Sequence, residues 1–220
     1  MIPDYLYLET VSIGCWFVVA GYHFLMFGFF FFQRFRIRRI MYWLYLALFF
    51  LLLAFGRGFF LVYDFYSINF LWWRVATCIQ WFSLSFLALL IGYLLFEKLE
   101  RQLLIAIPPP IIALLVLVVP EETLAPLAPF RFAINNILAP IYAIFIPALF
   151  FYLAYHSVGT IRRGSILNGI GFLVLYAGRV MASELIAEAL AAWVAAILAP
   201  GLVILALLII SMGNQYELLT

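Results

Sequence analysis

Charge is what this sequence has least of. Of its 220 residues, 12 are Lys or Arg and 10 are Asp or Glu, so charged side chains make up 10%. A water-soluble domain carries about 25%. A chain at less than half that level, 69% hydrophobic and with a mean hydropathy of +1.18, does not cover a soluble surface. That excludes a soluble enzyme, a disordered regulator and a nucleic-acid binder. Cysteine is nearly absent too: Cys15 and Cys78 both lie in apolar runs, without metal-type spacing. They read as two buried thiols, and no metal site is expected. Lysine occurs once, at Lys98 in a polar segment, so there is no lysine in the last helix to hold retinal as a Schiff base.

What is present is long apolar runs. An outer-membrane barrel would alternate in polarity over segments of about ten residues. Here the runs are continuous and about twenty residues long, the length a helix needs to cross a bilayer. They predict an all-α protein of seven transmembrane helices, near 10–33, 40–63, 70–96, 103–119, 130–156, 165–187 and 190–212. The segments between them (34–39, 64–69, 97–102, 120–129 and 157–164) are short, leaving the chain as one membrane domain. The start, Met1 to Tyr5, has no basic region, so no cleaved leader is expected.

Orientation follows from the basic residues. Arg34, Arg36, Arg38, Arg39, Lys98, Arg101, Arg162 and Arg163 fall on one face. Arg57, Arg74, Arg131 and Arg179 fall on the other, against Asp4, Glu9, Asp64, Glu121, Glu122, Glu184 and Glu188. The first face is expected in the cytoplasm, with the N-terminus outside, the C-terminus inside, and the protein multi-pass in the cell membrane.

The landmarks suggest a 3+1+3 internal repeat, residues 1–97 and 130–217. Ile37-Arg38-Arg39 recurs as Ile161-Arg162-Arg163, and Gly56-Arg57 recurs as Gly178-Arg179. The third helices share Trp73 and Trp193 and the run Leu-Ala-Leu-Leu-Ile at 87–91 and 205–209. Both copies start outside, so helix 4 is the connector between parallel repeats. Pro108-Pro109-Pro110 removes three amide donors, so helix 4 is expected to be broken or late, its cytoplasmic third irregular. Pro140, Pro147 and Pro200 read as bends that shape helices 5 and 7.

Charges at membrane depth mark a site or a pairing. Arg57 lies about 27 Å along its helix from Arg39, and Arg179 about 24 Å from Arg163, at 1.5 Å per residue. Both approach the outer boundary of a ~30 Å core. Arg74, Arg131, Asp64, Glu184 and Glu188 share that level, with Asn135 and Asn136 about one turn deeper. The candidate ligand site is therefore Arg57, Arg179, Arg74, Arg131, Asp64, Glu184 and Asn135, because guanidinium forks suit anions and carboxylates. The competing reading is inter-helix ion pairs and snorkelling.

His23 and His156 differ by nine residues in depth, about 13 Å, which is too much for one bis-histidine haem. No Gly-x-Ser-x-Gly, His-Glu-x-x-His, phosphate loop or Cys-x-x-Cys occurs. No catalytic residue and no cofactor is expected. Phe29 to Phe32 read as packing, and Tyr5, Tyr7, Tyr63, Tyr66, Trp72 and Trp73 as an outer aromatic belt. Gly169, Gly171, Gly178, Ala189, Ala191, Ala192, Ala195 and Ala196 permit close helix approach, in the core or toward another subunit.

The stretch Ser157-Val158-Gly159-Thr160-Ile161-Arg162-Arg163-Gly164-Ser165, leading into Gly169, Gly171 and Gly178-Arg179, resembles the prokaryotic seven-helix sensor modules that precede histidine kinases, and archaeal membrane proteins like them. The resemblance implies a receptor-like role, without the output domain of those modules. The 3+1+3 order is also similar to small sugar transporters, although their proline-and-glutamine motif is missing. The leading expectation is a non-catalytic accessory subunit or receptor-like partner in a membrane complex, associating with other membrane subunits or itself. The alternative is a small-solute transporter with its site between the repeats.

Overall fold

The computed structural model describes residues 4–67, 69–96, 98–124, 128–182 and 193–215. Among them the regular elements are helical, and no strand is present. Six stretches are long and apolar enough to cross a membrane: Glu9–Arg38, Met41–Phe65, Phe70–Leu95, Leu99–Val118, Gly159–Met181 and Ala196–Gln215. Ala139–Tyr155 is a shorter apolar helix. The principal helices are α1 (Asp4–Gly28), α2 (Met41–Phe65), α3 (Phe70–Leu95), α4 (Leu99–Ala106), α5 (Pro108–Val118), α6 (Ala139–Tyr155), α7 (Gly159–Met181) and α8 (Ala199–Gln215). The chain forms two compact units, Ala20–Ile141 and Met1–Val19 with Tyr142–Thr220.

In the first unit α2 and α3 run antiparallel. Tyr45 meets Tyr93 at one end (ring centroids 6.4 Å apart), and Phe59 stacks on Trp72 at the other (5.7 Å). The Asn69 side chain starts α3 by accepting the Leu71 amide at 3.0 Å. Gly56 lets the pair approach closely: a Cβ there would stand 3.1 Å from Gln80 Cγ and 3.4 Å from the Ala76 carbonyl. The core continues into the turn that follows α1 through Phe30, which is fully buried and stacks with Trp43 at 5.8 Å and Phe50 at 5.7 Å.

The expected loop 34–39 is mostly helix. Beyond α1 the chain makes a π-helical turn over Phe29–Phe35 and stays helical through Arg36–Arg38. The widened turn carries Arg34 inward, where it is 1% exposed. Its guanidinium lies over the Trp43 ring at 5.2 Å and the Phe29 ring at 5.3 Å. Reversal is confined to Arg39, in the left-handed region at φ 52°, and to the extended Ile40.

The proline triplet also behaves differently from expectation. The part of helix 4 expected to be irregular is helical over Leu99–Ala106, and the break narrows to Ile107. Pro108 opens α5, where the amide it lacks would have had no helical partner. Both short helices pack on α3. At Gly92 a Cβ would fall 2.9 Å from Gln102 Cα, and Gln102 Nε2 donates to the Phe96 carbonyl at 2.7 Å.

In the second unit α7 and α8 form the main pair. α7 begins at Gly159, whose φ of +63° makes the turn after Val158. Arg162 and Arg163, expected in a loop, therefore sit in its first turns. Gly164, Gly171 and Gly178 recur every seventh residue and share a face. Cβ atoms on them would stand 2.8 Å from the Gly213 carbonyl, 2.5 Å from Ile210 Cγ1 and 2.9 Å from the Ala199 carbonyl. Asn214 Nδ2 crosses the seam to Asn168 Oδ1 at 2.8 Å and also donates to the Ile210 carbonyl at 2.7 Å.

Two further π-helical turns, Ile134–Leu138 and Val194–Leu198, share a cause. Each ends in Ile-Leu-Ala-Pro, at 137–140 and 197–200. Proline lacks an amide donor and its ring crowds the carbonyl four residues back. In both places the preceding alanine bonds one residue further back than in an α-helix, Ala139 to the Ile134 carbonyl and Ala199 to the Val194 carbonyl. Pro140 and Pro200 thus follow widened turns, whereas Pro147 lies inside α6.

Candidate functional site

The arginine layer separates into local ties. Arg57 and Asp64, seven residues apart on α2, form an ion pair at 3.6 Å, with side chains 15% and 36% exposed. Arg74, in the first turns of α3, lies over the Phe70 ring at 5.6 Å and donates through Nη1 to the Leu117 carbonyl at 3.4 Å. That carbonyl lies in the last turn of α5, where helical carbonyls lack amide partners and a cation is favoured.

Arg131 is the most deeply placed of the four, 4% exposed in the helical turn Pro129–Ala133. Its guanidinium lies 4.4 Å over the Trp73 ring, and Nη1 donates to the Leu124 carbonyl at 3.1 Å. Leu124 ends the 3₁₀ turn Glu121–Leu124 and is fully buried. Trp73 was expected in the aromatic belt, but it is buried at 6% exposure, between Arg131 on its face and Phe70 stacked at 5.0 Å. Tyr66 is exposed.

Arg74 and Arg131 thus meet through the neighbouring residues 73 and 74 and hold the α5 end and the turn after it. Asn135 is exposed on the π-helical turn. Arg179 is half-buried near the end of α7. Arg57, Asp64, Arg74, Arg131 and Asn135 belong to the first unit and Arg179 to the second. Glu184, Glu188, Ala189, Ala191 and Ala192, with the side chains of Tyr5, Tyr7, Asn136 and Ala195, lie outside the described residues.

Sequence reasoning missed Arg34, because its position in a run of arginines reads as a loop. The available signal was Phe29 to Phe32 immediately before it, since aromatic faces accommodate a guanidinium. Cys78 is buried and Cys15 half-buried, both as thiols. Among the described residues, no three His, Cys, Asp or Glu side chains gather as a metal site would require.

The helices carry large apolar side chains outward along their length, among them Leu25, Leu71, Leu114, Val118 and Ile144. Together with the apolar, membrane-length helices, this makes the chain a helical membrane protein. No protein-family model, curated protein or solved structure matches it.

Proposed function

We propose that the chain is a non-catalytic seven-span protein of the cell membrane that works as an accessory subunit or receptor-like partner of other membrane proteins. The stretch from Pro129 through Tyr155 supplies the seventh span, and the N-terminus faces outward. The observation that carries the reading is the arginine layer. Arg57, Arg74 and Arg131 each engage groups of their own chain: Asp64, the Leu117 carbonyl, and the Leu124 carbonyl with Trp73. Arg57 is neutralised within its own helix, Arg74 and Arg131 tie separate elements together, and the outward apolar faces are left to lipid and to other subunits. The 3+1+3 repeat is supported by Gly56 and Gly178, each preceding an arginine and each allowing close approach to the following long helix.

Gentle detergent extraction of the tagged protein, followed by mass spectrometry and reciprocal tagging of what accompanies it, tests this. A membrane protein recovered at fixed stoichiometry in both directions is the expected result. Recovery with lipid and copies of itself alone would contradict it. The transporter alternative would then be tested by solute uptake in R57Q and R179Q.

A further inference from the structure

We propose that the arginine-rich end of the Ala20–Ile141 unit binds the phosphate headgroups of anionic phospholipids. Two connections meet there, one running from α1 to α2 and the other from α3 to α4. The Tyr45–Tyr93 contact fixes the start of α2 beside the end of α3, so residues 34–39 and 98–101 share that end. They supply Arg34, Arg36, Arg38, Arg39, Lys98 and Arg101 against Glu100, with Glu97 adjoining in sequence. Half of the chain's twelve basic residues therefore collect on two short connections.

The placement of these side chains separates one anchor from five presented cations. Arg34 is buried against Phe29 and Trp43 and pins the π-helical turn to the first turn of α2. Arg36, Arg38, Arg39, Lys98 and Arg101 are all exposed. Arg39 adopts a left-handed backbone that a residue with a Cβ rarely takes, which reverses the chain within two residues. The basic side chains are thereby held on a short, tied turn.

Exposed apolar residues are interleaved with them: Ile37 is 74% exposed and Leu99 61%, with Ile40 and Met41 beside them. A surface meeting only water has no use for that mixture. At a bilayer boundary it fits, with the aliphatic groups among acyl chains and guanidinium forks on phosphodiester oxygens. A membrane-adjacent cluster of this size is the electrostatic pattern of anionic-lipid binding, each basic residue contributing about fivefold in affinity.

The test uses the full chain, purified in a neutral detergent. Thermal unfolding and native mass spectrometry are recorded with added phosphatidylglycerol, phosphatidylcholine or inorganic phosphate. Phosphatidylglycerol is expected to stay bound and to raise the midpoint; phosphatidylcholine and inorganic phosphate are not. The effect should shrink as salt rises from about 0.1 M to about 1 M, where screening becomes short-ranged. R36Q/R38Q/R39Q should lose at least tenfold in lipid affinity, R36K/R38K/R39K should retain most of it, and R162Q/R163Q should lose less than the glutamine triple. Equal responses to the two lipids, an equal response to inorganic phosphate, or unchanged binding by the glutamine triple would overturn the proposal. Should the glutamine triple fail to insert, the lipid and salt comparison on the unaltered protein decides.

Discussion

At the scale of single residues, the ties differ in how much they should matter. Arg131 is buried, and its removal leaves the Leu124 carbonyl without its donor and uncovers the Trp73 face. Hydrogen bonds to charged groups contribute about 1.5–3 kcal/mol, so R131Q should lower the apparent unfolding free energy in micelles by about 2 kcal/mol. D64N should change it by less than about 1 kcal/mol, because an ion pair within one helix that opens to the surface at Asp64 contributes little. Equal effects of the two substitutions in denaturant titrations would contradict the assignment of Arg131 as the tie. The sequence placed both residues in one outer layer, from helix depth alone. It did not separate them, because burial depends on what covers a side chain, and Trp73, which covers Arg131, is distant from it in sequence. Arg34 was misplaced for a related reason: a charge next to other charges reads as solvated until an aromatic wall is seen against it.

At the scale of elements, helix positions were legible because apolar runs are long and charges few. Boundaries were less so. The π-helical turn Phe29–Phe35 extends a helix into an arginine run, and α7 begins before Arg162 and Arg163. The repeat landmarks consequently fall in different settings, Ile37–Arg39 at the end of one helix and Ile161–Arg163 inside another. Local propensity reports neither boundary: the first arises where backbone bonding widens from four to five residues, the second from the left-handed Gly159.

The glycines of α7 give a sharper test. A Cβ at Gly164 or Gly178 would press on a backbone carbonyl, and overpacking of this kind costs about 1–3 kcal/mol. G164A and G178A should therefore lower the melting midpoint. G58A, where nothing lies within 4 Å, should leave it unchanged or raise it, alanine being about 1 kcal/mol the better helix former. The proline turns are testable as well. In P200A the obstacle to ordinary bonding is gone, so the Val194–Leu198 turn should relax and rotate what precedes it by about 100°. A cysteine at the exposed Ile197 would report this as a changed labelling rate in P200A. An unchanged rate would show that proline does not maintain the turn.

At the scale of the whole molecule, the proposed seven spans make an odd number of crossings. Among the described residues six stretches are long and apolar enough to cross a membrane, and Ala139–Tyr155 is a shorter apolar helix. Pro129–Ala133 and the π-helical turn Ile134–Leu138 precede it without interruption, giving helical backbone from 129 to 155. At 1.5 Å per residue that exceeds the ~30 Å hydrocarbon core. If it crosses, the termini lie on opposite faces, and the basic end carrying Arg36, Arg38 and Arg39 lies on the C-terminal face. The most direct measurement is reporter labelling of the two termini in intact cells, with a tag before Met1 or after Thr220. An N-terminal tag reached only from outside and a C-terminal tag reached only from inside are expected. Both tags on the same face would contradict the seven-span architecture.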